Sequence, residues 1–225
     1  MTPQIHTFAR RALWTLPVWT AFLFLGTLTH QPDPQTAFAD FAAYITTNQF
    51  LVSHLVASIA GAAIGSIGVI GLLLYLQESK GAGKLIAGMV ATVAGNIFLT
   101  AVFGVAAFAQ PAMGRMFLAG EQNAVDFYNQ VYAAPLFVTA ILGLLLFMVG
   151  GIFIGAGIAD GGRLPRWTGW VYAVSAVGYV VSFILLPVGM SVFSALLILA
   201  TAAIAWSAAR ENHSQYGRAA IAPGA

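Results

Sequence analysis

Residues 50–109 read FLVSHLVASIAGAAIGSIGVIGLLLYLQESKGAGKLIAGMVATVAGNIFLTAVFGVAAFA. Two long apolar runs, 50–76 and 85–109, flank a short polar stretch that holds Lys80 and Lys84. A bilayer core about 30 Å thick takes about 20 apolar residues in helix, because a span must satisfy its own backbone N–H and C=O groups. Each run is long enough, and Lys80-Gly81-Ala82-Gly83 supplies the glycines of a tight turn. The segment therefore predicts two transmembrane helices joined on the side of the membrane that holds the cations.

Four further runs, 12–29, 131–158, 167–186 and 190–208, extend the pattern to six. Eight of the nine lysines and arginines fall in alternate gaps: Arg10 and Arg11, Lys80 and Lys84, Arg163 and Arg166, Arg210 and Arg218. Cytoplasmic loops carry the excess of basic residues, so the expected topology is six spans with both termini in the cytoplasm and only Arg115 outside. Trp14, Trp167, Trp170 and Trp206 cluster near the predicted cytoplasmic ends, where an amphipathic ring favours the headgroup layer; Trp19 does not fit that belt.

With 60% hydrophobic and 7% charged residues, the chain lacks the polar surface that a water-soluble globule requires. Its 225 residues fit one integral-membrane domain, 1–225, with short connections and no separate soluble module. The split distribution of cations argues against nucleic acid as a partner. Zero cysteines exclude disulfides, thiolate metal sites and thiol nucleophiles. Arg10 and Arg11 before an apolar run resemble a signal peptide, but Ala37-Phe38-Ala39 lies about ten residues past the run, far for cleavage, so an uncleaved first helix is expected.

Two external connections are longer than turns. In the first, Asp33-Pro34 is a helix start, and Phe38, Phe41, Ala42 and Ile45 recur at helical spacing with Asp40 elsewhere, as an amphipathic surface helix requires. The second, 110–130, mixes Met116, Phe117, Phe127 and Tyr128 with Arg115, Glu121 and Asp126 and reads the same way. Gln31-Pro32, Phe38, Asp40 and Asn48-Gln49 match Gln110-Pro111, Phe117, Glu121 and Asn129-Gln130 in order, which suggests parallel tandem hairpins at about 12–80, 85–160 and 166–210. The expected fold is thus an all-α, six-span polytopic bundle with two outer interfacial helices.

Candidate binding residues follow from polarity and depth. Asn96 is the most deeply placed strongly polar side chain, so it must meet another helix or a cavity. No lysine, arginine, aspartate or glutamate lies at comparable depth, which weakens a proton-pump reading. Asn48, Gln49, Asn129 and Gln130 stand where each surface helix turns into the membrane; they satisfy backbone there or form an outer vestibule with Asp40 and Glu121 on its rim and Arg115 nearby. His30 and His54 near the outer interface are weak candidates for a metal or heme, alone or with Asp33, Asp40, Glu121 or Asp126, without ligand spacing to support it. No cofactor is expected. Gly61, Gly65 and Gly68, Gly88, Ala91 and Gly95, and Gly151 and Gly155 mark close helix contacts, within the chain or between copies. Gly83-Lys84 lacks the earlier glycine of a phosphate loop, and Ser53-His54 are adjacent and point apart, so no active site is legible.

Gly162-Arg163-Leu164-Pro165-Arg166-Trp167-Thr168-Gly169-Trp170 and Phe108-Ala109-Gln110-Pro111-Ala112-Met113-Gly114-Arg115 resemble the late part of uncharacterised bacterial multi-pass inner-membrane proteins. The resemblance covers mainly the C-terminal half. It implies a bacterial inner-membrane setting and transfers no functional residue. The leading expectation is a non-enzymatic membrane protein that engages a lipid-like ligand or a partner membrane protein. A small channel or carrier for a neutral solute, with Asn96 on the path, is the alternative; an outer-face metal or heme site or membrane enzyme is the third.

Overall fold

The computed structural model describes residues 2–29 and 31–219, with side chains except those of Ile184, Pro187 and residues 212–219. His30 lies outside the described residues. Among those described, the chain is all helix with no strand. Four helical stretches, Asn48–Leu76, Ala82–Leu118, Ala134–Gly161 and Val188–Glu211, are long and apolar enough to cross a membrane.

The first helix, α1 (Pro3–Ala12), starts on Thr2, whose hydroxyl accepts the Ile5 N–H, with proline in the first turn where no N–H is needed. It runs into α2 (Thr15–Thr27) through a tightened turn. Trp14 N–H bonds Arg11 O at 3.1 Å and Leu16 N–H bonds Leu13 O at 3.2 Å. Arg10 and Arg11 therefore sit within helix, a turn earlier than the sequence-derived start at 12. After α3 (Phe38–Ile45), α4 (Asn48–Val52) continues through a π-helical segment, Ser53–Ala60, into α5 (Gly61–Leu76). Then come α6 (Ala82–Leu118), α7 (Ala124–Val131), α8 (Ala134–Gly161), α9 (Arg166–Leu185) and α10 (Pro187–Ala219).

The long segments close a ring. In chain order α2 packs on α5, α5 on α6, α6 on α8, α8 on α9 and α9 on α10, and α10 returns to α2. Hydroxyl pairs fasten that last seam: Thr20 to Thr201 at 3.0 Å and Thr27 to Ser191 at 2.8 Å. Glycines set the other seams. A Cβ on Gly65 would fall inside the Trp19 indole, one on Gly88 within 2.7 Å of the Ile154 backbone, and one on Gly155 within 2.3 Å of Gly169 O. The small-residue stripes are thus occupied within the chain, and Trp19, 2% exposed, leaves the interfacial belt because Gly65 makes room for it. The other four tryptophans are about half exposed.

Antiparallel packing gathers the cationic turns at one end. Lys84 reaches Asp160 at 2.5 Å, Arg10 Nη2 donates to Ala209 O at 3.1 Å, and Arg163 donates to Tyr75 O at 2.9 Å and to Glu211 Oε2 at 3.0 Å. The Tyr75 hydroxyl donates to the same Glu211 oxygen, and the Arg163 guanidinium lies 4.5 Å from the Tyr75 ring centre. Gly162, at φ +72, ends α8 just before this cluster.

The other end carries a small second core. Here α6 overruns the end predicted at 109 and continues through Pro111 to Leu118, 37 residues or about 55 Å. Pro111 forfeits one helical hydrogen bond, yet Pro111 and Met113 are buried, and Gly114 lets the α3 backbone at Ala42 approach closely. Phe38 meets Phe117 at 4.9 Å and Tyr128 at 5.6 Å; Phe41 meets Tyr128 at 5.3 Å. So α3 and α7 form an aromatic cap on the projecting end of α6. The second surface helix is only Ala124–Val131 rather than the whole of 110–130. The residues matched in the tandem alignment fall in unlike local structure: Gln31-Pro32 in a linker against Gln110-Pro111 inside α6, and Asn48-Gln49 opening α4 against Asn129-Gln130 closing α7.

Candidate ligand cavity

Inside the ring, toward the capped end, lies a cavity of about 310 Å³. Its lining runs from buried Trp19, Ala62, Asn96 and Phe147, which mark the deep end, to the more exposed Thr29, Gln31, Tyr44 and Met190, which mark the mouth. The Trp19 and Phe147 rings meet edge to face at 5.8 Å, with Tyr179 6.1 Å from Phe147. The lining is mainly apolar, and among the described residues no lysine, arginine, aspartate or glutamate contributes to it.

One wall is the π-helical segment Ser53–Ala60, which supplies Ser53, His54, Ala57 and Ser58. A π-helix pairs residue i with i+5, so it is wider than an α-helix and re-aims the side chains beyond it; such segments recur at functional sites. None of its eight residues is fully buried, as expected of a wall that borders open space. His54 Nδ1 lies 2.9 Å from Phe50 O, and a carbonyl only accepts, so Nδ1 carries the ring proton. The imidazole also packs against Phe50, with centroids 4.1 Å apart and ring planes tilted by 37°.

Asn96 does what its depth demanded. Its Nδ2 donates to Ala62 O and to Ser66 Oγ, each at 3.1 Å, which joins α6 to α5 and leaves the residue 5% exposed. The carbonyl partner fixes which end of the amide is nitrogen.

The other sequence-derived candidates do not join it. Asp40, Asn48, Gln49, Arg115, Glu121, Asn129 and Gln130 are all exposed and none borders the cavity. Asn48 and Gln49 open α4 behind Thr47, whose hydroxyl accepts the Phe50 N–H at 3.2 Å. Arg115 pairs with no acid among the described residues. These polar pairs thus lie on the surface, apart from the chamber. His54 has Phe50, Ser53 and Phe103 as neighbours, and no group of three potential metal ligands occurs among the described residues.

Sequence reasoning missed Tyr179, Phe147 and the π segment. Asn96 and His54 were singled out by their polarity, and Trp19 by its absence from the interfacial belt. In the cap, burial pushes the Tyr128 and Tyr132 phenols up from their ordinary value, with the nearby Asp33 carboxylate adding to the effect at Tyr128. Both stay neutral at physiological pH. The Gln110 side chain, buried beside the Tyr132 hydroxyl, acts in the opposite direction.

No protein-family model, no curated protein and no solved structure matches this chain.

Proposed function

We propose that this chain is a six-span protein of a bacterial inner membrane, with its basic end in the cytoplasm, and that its helix ring binds a hydrophobic, lipid-like ligand rather than catalysing a reaction. Two elements join the four long apolar stretches to make six spans: the α1–α2 pair and the 20-residue α9, about 30 Å long. The gathering of Arg10, Lys80, Lys84 and Arg163 at one end supports the orientation.

The observation that carries the ligand reading is the cavity itself. A volume of about 310 Å³ with a mainly apolar wall and a few polar groups is at the small end of ordinary ligand sites. Its deep end, where Trp19 meets Phe147, favours binding over passage of a solute. Native mass spectrometry on protein extracted in mild detergent tests this. The wild type should carry a solvent-extractable hydrophobic adduct, and Ala140→Phe, which places a ring in the chamber, should lose it while keeping its melting temperature. A wild type without adduct that conducts neutral solutes in liposomes would move the assignment to a carrier.

A further inference from the structure

Two residues of the cavity wall each carry an acceptor atom with no donor among the described residues. With the His54 proton held on Nδ1 by Phe50 O, Nε2 keeps its lone pair and has no partner among the described residues. Asn96 spends its amide donors on Ala62 and Ser66, and its Oδ1 likewise accepts nothing. Neither atom is sealed against protein, unlike the orphaned hydroxyls of Thr92 and Ser175. Both residues line the chamber, His54 near the mouth and Asn96 beside Ala62, two turns deeper.

An acceptor left bare in an apolar site costs free energy that a ligand donor recovers. A cationic donor would have to shed its water where no carboxylate awaits it, and an anion would find no cation. A pure hydrocarbon would leave both acceptors unfilled. At the ~30 Å³ that a water-sized group occupies in a liquid, the volume holds roughly ten non-hydrogen atoms.

Building on the ligand-binding reading above, we infer that the occupant is a neutral hydrophobic alcohol or phenol whose hydroxyl donates to Nε2 of His54, and that a second hydroxyl, in a ligand long enough to carry one, donates to Oδ1 of Asn96. Water is the rival partner for either atom.

The probes are 4-butylphenol and its non-donating counterpart 4-butylanisole, titrated calorimetrically into the full chain in nanodiscs against empty nanodiscs. The wild type should bind the phenol about five- to tenfold more tightly than the ether, the ratio that one neutral hydrogen bond supplies. In His54→Phe that preference should disappear while ether affinity persists. Equal binding of both probes by the wild type leaves a hydrophobic site whose acceptors are served by water, and overturns the donor assignment alone. Binding of neither probe overturns the cavity reading and this inference together. A phenol preference unchanged in both His54→Phe and Asn96→Leu overturns the assignment to these two atoms.

Discussion

Asn96 shows how a single amide is forced by its surroundings. In hydrocarbon it has to find acceptors, and it finds them on the neighbouring helix at Ala62 and Ser66. Replacing it with leucine removes both bonds and fills part of the chamber. Asn96→Leu should lower stability by roughly 0.5–1 kcal/mol, the usual worth of an interhelical bond in a bilayer, measured as the shift in thermal unfolding in detergent. Arg163 is the corresponding residue at the basic end, where it touches the Tyr75 carbonyl and ring and Glu211 together. Its ion pair is more than a third exposed on the Glu211 side and contributes little by itself. The carbonyl and ring contacts remain, so Arg163→Ala should cost about 1 kcal/mol, and Arg163→Lys should recover less than half of it because an ammonium cannot fork. Asn96 was legible in the sequence because depth and polarity are both properties of one position. The exposed pairs Asn48-Gln49 and Asn129-Gln130 were chosen for polarity near a predicted bend, and polarity near a bend is equally what water demands.

Among the elements, the seams between helices depend on backbones that approach without side chains. Gly155 faces Gly169 across α8 and α9, whereas Gly104 on α6 has open space where a Cβ would go. Gly155→Val should therefore destabilise on the order of 2 kcal/mol or more and broaden the size-exclusion profile, while Gly104→Val should leave the profile unchanged. The length and hydropathy of each long helix were readable beforehand because they are sums over a window. The extension of α6 beyond 109 was not. Gln110-Pro111 looks like a stop, and it is burial of Pro111 and the packing of Met113 with Phe41 and Ile45 of α3 that makes continuing the helix favourable. The π segment was equally invisible, since Ser53–Ala60 reads as ordinary helix in sequence.

At the scale of the whole molecule, the proposed orientation makes an accessible prediction. The chain has no native cysteine. Gln122, exposed in the connection between α6 and α7, and Gly83, exposed with room for a side chain, mark opposite ends without the positive φ of Gly120 or Gly162. An impermeant maleimide on intact cells should modify Gln122→Cys and leave Gly83→Cys unmodified until the cells are opened; the reverse result would invert the topology. Alternation of charge was enough to gather the basic turns at one end. It could not foresee that the last long helix would come back to lie against the first.

That closure has a consequence for synthesis. Thr20 and Thr201 are separated by 181 residues, so at about 5–20 residues per second α2 is made roughly 10–35 s before its final neighbour. During that wait the Thr20 hydroxyl is sheltered by its own Leu16 carbonyl, 3.1 Å away. A nascent chain arrested before α10 would remain an open arc, with α2 and α9 each lacking the partner that closes the ring.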